Sequence, residues 1–122
     1  MLLEGLYVIQ DFEYQEPHIK ATVKLDKDHR IFEGHFPGHP VLPGVCVIQI
    51  IKELTEKALD KNLMLSVASN VKFMSVINPE KNDIIEFRIE LSQTEEGVKI
   101  KNTVRFEETV ALKLSAFFKT KA

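Results

Sequence analysis

The amino-acid sequence predicts an α+β fold in which a curved antiparallel sheet of about five or six strands wraps around one long central helix. Two observations lead to this prediction. Residues 43–59 show helical periodicity with a strongly apolar first half. Residues 83–119 hold three successive segments that alternate apolar and polar residues and are joined by short turns.

The first part of the chain predicts two strands followed by a loop. Residues 5–10 are weakly strand-like. Residues 18–25 alternate clearly between a polar face that begins at His18 and an apolar face that begins at Ile19. This pattern is typical of a strand with one buried face. Residues 26–43 are rich in Asp, His, Gly and Pro and predict a loop.

The predicted helix runs from about Pro43 to Leu59. Pro43 suits the first helical position, where the missing N–H of proline loses no hydrogen bond. The first half is apolar nearly all round, which predicts burial on most sides, and the second half gains a polar face. We therefore expect the helix to enter the core at its N-terminal end. The apolar residues of the first half are Val45, Cys46, Val47, Ile48, Ile50 and Ile51.

Four strands are predicted after the helix, near residues 64–74, 83–93, 98–107 and 109–119. The turns at residues 94–97 and at Glu107 and Glu108 are short, so the last three strands should form an antiparallel meander. Each of these three strands has one apolar and one polar face, as expected for a sheet that is covered on one side. A sheet of this size around one helix leaves its edge strands unpaired, and edge-to-edge pairing of two copies would remove the exposed edge. The sequence therefore predicts a dimer.

Length and composition restrict the class of protein. A chain of 122 residues fits a single domain spanning residues 1–122, and its 44% hydrophobic content can support a core. One Cys rules out a disulfide within the chain and makes a cytoplasmic setting the expectation. The N-terminus has no basic segment typical of a signal peptide, and no apolar run approaches the roughly 18 residues of a membrane span. The net charge of −2 gives no general attraction to nucleic acid.

The loop between the second strand and the helix has the composition of a functional site. Residues 29–44 contain three of the four histidines, together with several glycines and prolines that restrict or permit tight backbone geometry. The backbone N–H groups of Gly44 and Val45 are placed where the helix dipole is positive. They can stabilise a developing oxyanion.

Residues 34–45, with the sequence GHFPGHPVLPGV, resemble the active-site signature of the 3-hydroxyacyl-acyl carrier protein dehydratases. Residues 69–73 and 76–79 are similar to the strand and loop that follow the helix in that family. The resemblance implies the hot-dog fold, in which a sheet wraps a central helix. It also implies elimination of water from a 3-hydroxyacyl thioester in fatty-acid or related acyl-chain synthesis, giving the trans-2-enoyl thioester.

The resemblance assigns roles residue by residue. His35 matches the base that takes the proton from the carbon alpha to the thioester. The Gly44 N–H matches the oxyanion donor, and the Val41 carbonyl matches the group that orients the histidine ring. The implied substrate-binding residues are Phe36, Gly38, Val41, Pro43 and Val45. The implied partners are acyl carrier protein or a coenzyme A thioester and a second copy of the chain, with no metal or organic cofactor.

Position 49 departs from the family pattern. The family has Glu or Asp fourteen positions after the histidine, acting across the dimer interface, whereas this chain has Gln49. An amide cannot give a proton to the leaving hydroxyl, and loss of such an acid costs about 10²–10⁴-fold in rate. Two alternatives therefore stay open. One is a catalytically weak acyl-binding or partner subunit, and the other is a hot-dog thioesterase.

Most of the other residues that could take part in catalysis or metal binding are expected to have structural roles instead. Cys46 has valine neighbours and is predicted to be a small core residue, and His18 and His29 are predicted to be solvated. His35 and His39 have a spacing that can bind metal on a helix, but Pro37, Gly38 and Pro40 forbid a helix here. The phenylalanines at 73, 87, 106, 117 and 118 are predicted to lie mostly in the core. Basic residues on two strand faces predict either a solvated outer face of the sheet or a binding surface for an acidic carrier protein. These residues are Lys99, Lys101, Arg105, Lys113, Lys119 and Lys121.

Overall fold

A computed structural model describes residues 4–33 and 40–121. These residues form six strands, one α-helix and a short 3₁₀ helix. In chain order the elements are β1 (Tyr7–Gln15), β2 (His18–Leu25), the 3₁₀ helix (Arg30–Phe32), α1 (Gly44–Leu59), β3 (Leu63–Phe73), β4 (Ile84–Gln93), β5 (Gly97–Phe106) and β6 (Thr109–Thr120).

All six strands belong to one antiparallel sheet with the order β1-β2-β4-β5-β6-β3. β4 pairs with β5 and β5 pairs with β6, which confirms the predicted meander. β1 and β3 form the two edges of the sheet. The predicted architecture, an antiparallel sheet packed on one helix, is therefore confirmed.

The apolar face of the sheet packs against α1. Alternate residues on each inner strand are buried, including Ile19 on β2, Phe87 on β4 and Phe118 on β6. Burial of side chains of this size contributes about 1.5–3 kcal/mol each, so this layer dominates the stability of the fold. The buried residues of the helix are Cys46, Val47, Ile50, Ile51, Leu54 and Thr55. Within the described ranges, the helix falls short of the length and apolar character that a membrane crossing requires.

The first strand is longer than predicted. β1 extends to Gln15, whereas the sequence indicated strand character only over residues 5–10. The pairing register with β2 shifts between Ile9 and Asp11, so the alternation of the side chains is interrupted there. The second half of β1 alternates, with Phe12 and Tyr14 between polar residues, and both aromatic side chains pack against the core.

The start of the helix differs from its prediction in two respects. Pro43 caps α1 from the preceding position, with an extended backbone of ψ 146°, so that Gly44 is the first helical residue. Val45 is 76% exposed, although the apolar first half predicted burial on most sides. The sheet of one chain covers only one side of the helix, and Val45 faces away from it.

Candidate active site

The start of α1 presents two backbone donors. The Pro43 carbonyl oxygen accepts hydrogen bonds from the N–H of Cys46 at 3.0 Å and from the N–H of Val47 at 3.2 Å. Within the described residues, the N–H groups of Gly44 and Val45 have no acceptor. They lie at the positive end of the helix dipole, so this terminus can stabilise negative charge on a substrate oxygen.

Three segments meet beside this helix terminus. The N–H of Leu42 donates to the carbonyl of Ile77 at 2.9 Å, and the N–H of Met74 donates to the carbonyl of Ala111 at 2.8 Å. These bonds fasten the residues before α1 to the segment after β3, and that segment to β6. The three segments line a cavity of about 510 Å³. The cavity is lined by residues 41–44, Val47, residues 73–77, Ala111 and Leu112.

Gly44 and Phe73 form a close contact in this cavity. A Cβ atom built on Gly44 would lie 2.7 Å from Cζ of the Phe73 ring, so glycine allows the ring to lie against the helix terminus. Phe73 is 62% exposed, so its prediction as a core residue is wrong. It is the last residue of an edge strand, which has a neighbouring strand on one side only among residues 4–33 and 40–121. By contrast, Phe87, Phe106 and Phe118 are buried as predicted.

The structure brings together only part of the predicted site. Val41, Pro43 and Gly44 line the cavity. Val45 does not line it and is exposed instead. His35, Phe36, Gly38 and His39 lie outside the described residues, so their roles stay predictions.

Gln49 lies on a different side of α1 from the cavity. At about 100° per residue, it is roughly 160° around the helix from Val47, which lines the cavity. It is on the same face as Val45, one turn earlier, which is the face that the chain's own sheet leaves open. A single chain therefore does not bring Gln49 to the cavity at the helix terminus.

Gln49 belongs to a chain of three hydrogen-bonded side chains. Its amide Nε2 donates to Oε2 of Glu53 at 2.9 Å, and the hydroxyl of Tyr7 donates to Oε1 of the same carboxylate at 2.6 Å. Burial, and then the bond to Glu53, raise the pKa of the Tyr7 hydroxyl above its ordinary value of 10. The spacing of Gln49 and Glu53 on the helix is enough to suggest that they interact. Tyr7 is 46 positions from Glu53, and no pattern in the sequence predicts their contact.

Cys46 and His29 have structural roles. Cys46 is buried as predicted, and burial raises the pKa of its thiol, which makes it a poor nucleophile. His29 is half-buried rather than solvated, because Nδ1 accepts from the N–H of Ile31 at 3.0 Å and Nε2 donates to the carbonyl of Glu4 at 3.0 Å. In residues 4–33 and 40–121, no group of three or more His, Cys, Asp or Glu side chains could hold a metal ion.

The outer face of the sheet carries a second groove, of about 740 Å³, which is basic. Cross-strand pairing places Lys20 opposite Arg88 and Lys72 opposite Lys113. Like charges in directly opposed positions destabilise a sheet, and two carboxylates offset part of this effect: Glu86 pairs with Arg88 at 2.8 Å, and Glu90 lies opposite Lys101. The exposed residues Lys99 and Lys101 lie on the same outer face, as predicted.

The sequence matches the family model described as ApeI-like, ApeI dehydratase, over residues 11–113. A 3-hydroxyacyl-acyl-carrier-protein dehydratase FabZ of Lactobacillus helveticus is 29% identical over 101 residues, which cover 76% of this chain and 67% of that protein. The chain spans about half to two thirds of the length of the curated relatives it matches.

Solved structures show the same fold. The dehydratase heterocomplex ApeI:P from Xenorhabdus doucetiae has a TM-score of 0.76 at 20% identity, covering 92% of this chain and 96% of that chain. A hypothetical thioesterase from Streptococcus pneumoniae, solved with coenzyme A, has a TM-score of 0.70 at 12% identity, covering 98% and 91%. The second comparison establishes that the hot-dog fold is shared with proteins named for another reaction.

Proposed function

Since this chain belongs to the ApeI-like dehydratase family, we propose that it eliminates water from a 3-hydroxyacyl thioester to give the trans-2-enoyl thioester. The observation that carries the proposal is the cavity at the start of α1, where the Gly44 N–H lies at the positive helix end and has no acceptor among the described residues. A thioester carbonyl placed there gains stabilisation as its oxygen becomes negative during removal of the α-proton.

His35 is the base in this proposal. It takes the proton from the carbon alpha to the thioester, electrons shift toward the carbonyl oxygen held by the Gly44 N–H, and the carbon–oxygen bond at C3 then breaks. The leaving hydroxyl needs a proton to depart as water, and Gln49 has none to give. The imidazolium of His35 therefore returns the proton that it removed, so that the histidine ends the cycle neutral.

We propose that the site is completed by a second copy of the chain. The edge strand β3 and the adjoining loop expose several large apolar side chains that the chain's own sheet leaves uncovered, which is costly for an isolated molecule. These are Met64, Leu65, Val67, Val71, Phe73, Met74 and Val76. Gln49 lies on the open face of the helix, so a second copy paired at β3 can bring its own helix terminus toward this residue.

A catalytically weak partner subunit is a second candidate. Gln49 favours it, because the amide removes the acid that the family pattern supplies at this position. The Xenorhabdus doucetiae neighbour is described as a heterocomplex. In this alternative, the same apolar edge pairs with a related chain that carries a carboxylate.

We further propose that acyl carrier protein delivers the substrate and docks on the basic outer groove. The supporting residues are Lys20, Lys72, Lys101 and Lys113, which form no ion pair within 4.0 Å among the described residues. An acidic partner would relieve their mutual repulsion. Lys72→Glu with Lys113→Glu should weaken turnover of carrier-bound substrate but not of short pantetheine thioesters, and Lys61→Glu, remote from the groove, is the control.

One assay separates these candidates. Purified protein is incubated with 3-hydroxyacyl thioesters of several chain lengths, on acyl carrier protein and on coenzyme A, and the enoyl and free-acid products are measured. Enoyl product supports the dehydratase, and free acid would instead support a thioesterase. If neither product forms, and enoyl product appears once a homologue that carries the carboxylate is added, the result would support the partner-subunit hypothesis instead of the homodimeric enzyme.

A further inference from the structure

The outer face of the sheet carries a further recess beside the basic groove. It is a cleft of about 460 Å³ that crosses the neighbouring strands β3, β6, β5 and β4. We call it the outer cleft. It adjoins the basic groove, with which it shares Glu90, Lys101 and Ser115. The side chains that line it include Val67, Ser69, Lys99, Lys101, Ser115 and Phe117.

Two apolar side chains form a strip in the outer cleft, on a face that is otherwise mainly polar. Val67 of β3 lies opposite Phe117 of β6 in the strand pairing. Phe117 points to the outer face, because its neighbours Ala116 and Phe118 are buried on the core side of the same strand. Val67 is exposed, so the core of the described chain does not use this strip. The second copy that we propose at β3 pairs along the edge of the strand and leaves the outer face open, since strand side chains point above and below a sheet.

A cation without an ion-pair partner lies at one end of the apolar strip. Lys99 of β5 lies opposite Phe117 on one side and opposite Ser92 on the other, and both of these neighbours are uncharged. Lys99 forms no ion pair within 4.0 Å among the described residues. The carboxylate of Glu90, which also lines the cleft, lies opposite Lys101 and offsets the charge of that lysine instead. Lys99 is therefore the position at which the cleft can bind the negative charge of a ligand.

The strip has the length of a medium-chain fatty acid. The path from Lys99 across Phe117 to Val67 covers two strand spacings, roughly 10 Å, which an extended chain of about eight carbons spans. We propose that the outer cleft is a second acyl site that binds a free medium-chain fatty carboxylate, with the chain on Phe117 and Val67 and the carboxylate at Lys99. This site goes beyond the proposed function and does not depend on it, because the outer cleft and α1 lie on opposite faces of the sheet.

A merely solvated outer face predicts no such binding, and the chain offers a matched control. Lys24 of β2 lies on the same outer face, opposite the exposed Val8 on one side and the exposed Ile84 on the other. This position also combines a lysine with apolar neighbours, but it does not line the outer cleft. Lys24→Met therefore removes a comparable charge from the same face without touching the proposed site.

The test measures binding of octanoate. The fatty acid is titrated into isotope-labelled protein, and the backbone amide signals are followed by NMR. The signals of Val67, Lys99 and Phe117 should shift to saturation. Octanol has the same apolar chain without the charge and should bind about tenfold more weakly, which corresponds to one hydrogen bond between charged groups.

Two variants separate the apolar strip from the cation. Phe117→Thr removes the ring but keeps a residue suited to a strand, and octanoate affinity should fall about tenfold. Lys99→Met should abolish the preference for octanoate over octanol, and it serves if Phe117→Thr fails to fold. Lys24→Met should bind both probes as the native protein does. Circular dichroism checks that each variant is folded.

Several results would overturn the proposal. They are the absence of saturable shifts, shifts confined to signals of the cavity at α1 such as Gly44 and Ile77, and a preference for octanoate that survives Lys99→Met or is lost in Lys24→Met. Light scattering tests the other occupant of an apolar strip, a further copy of the chain. A native assembly larger than a dimer that Phe117→Thr reduces would show that protein covers the cleft, and the fatty-acid site would be rejected.

Discussion

The side-chain amide of Gln49 lies 2.9 Å from the carboxylate of Glu53, one turn further along α1. Any group placed at position 49 is therefore beside a carboxylate. The family pattern has a carboxyl group at this position, which this chain lacks. The effect of introducing one depends on the adjacent Glu53 carboxylate.

Gln49→Glu is expected to raise the rate of dehydration by about 10²-fold, the lower end of the range for general acid catalysis. Glu and Gln have nearly the same shape, so the change creates no void. Two adjacent carboxyl groups resist ionising together, so the introduced group keeps a proton near neutral pH and can give it to the leaving hydroxyl. Enoyl thioester formation is the measurement. The gain should vanish when His35 is also replaced, and a folded, inert variant would favour the partner subunit.

His35→Ala should abolish dehydratase activity, whereas His39→Ala should have a much milder effect. The expectation follows from the role of His35 as the base that removes the α-proton, a role not assigned to His39. Initial rates with a 3-hydroxyacyl thioester are compared for the two variants, with circular dichroism as the check on folding. Equal losses in the two variants would contradict the assignment.

Tyr7→Phe should lower the free energy of unfolding by about 1 kcal/mol near pH 8, through loss of the hydrogen bond to Glu53. The difference from the native protein should shrink above pH 10. The folded-state pKa of Tyr7 is raised above its unfolded value of 10.0, so its stabilising contribution is complete below pH 10 and is lost as the pH rises further. Urea denaturation between pH 8 and 11 measures this, and a constant difference would contradict it.

Asn102→Leu should stabilise the protein by about 1–3 kcal/mol. Asn102 is 4% exposed on the apolar face of β5, and within the described residues neither its amide oxygen nor its amide nitrogen has a hydrogen-bond partner. Leu has the same branching and removes the unpaired polar atoms. Thermal unfolding is the measurement. Thr55→Val is the control and should not stabilise, because the buried Thr55 hydroxyl already donates to the carbonyl of Ile51 at 2.8 Å.

Val67→Lys on β3 should dissociate the oligomer that we propose, because a charge is placed within the apolar edge. Val8→Lys on β1 is a matched control, since the two valines are 56% and 60% exposed on opposite edges of the sheet. Light scattering at micromolar concentration should give a monomer for the first variant only. A monomeric native protein would refute pairing through β3.

The sequence alone determined the elements of the fold, because the patterns that define them are local. Alternation in β2, β4, β5 and β6 and the apolar start of α1 follow from which face of each element is buried. The run from Gly34 to Val45 was enough to indicate the family, and four of its members, Val41, Leu42, Pro43 and Gly44, line the cavity.

The tertiary structure decided what depends on sheet curvature and on contacts between distant segments. No periodicity could place Tyr7 against Glu53, because the contact depends on how far the edge strand β1 curves over the helix. Val45 and Phe73 have apolar side chains that no element among the described residues covers, and apolar pattern by itself cannot distinguish a core from an interface. The orientation of the Gln49 amide likewise follows only from the carboxylate and hydroxyl that the fold gathers around it.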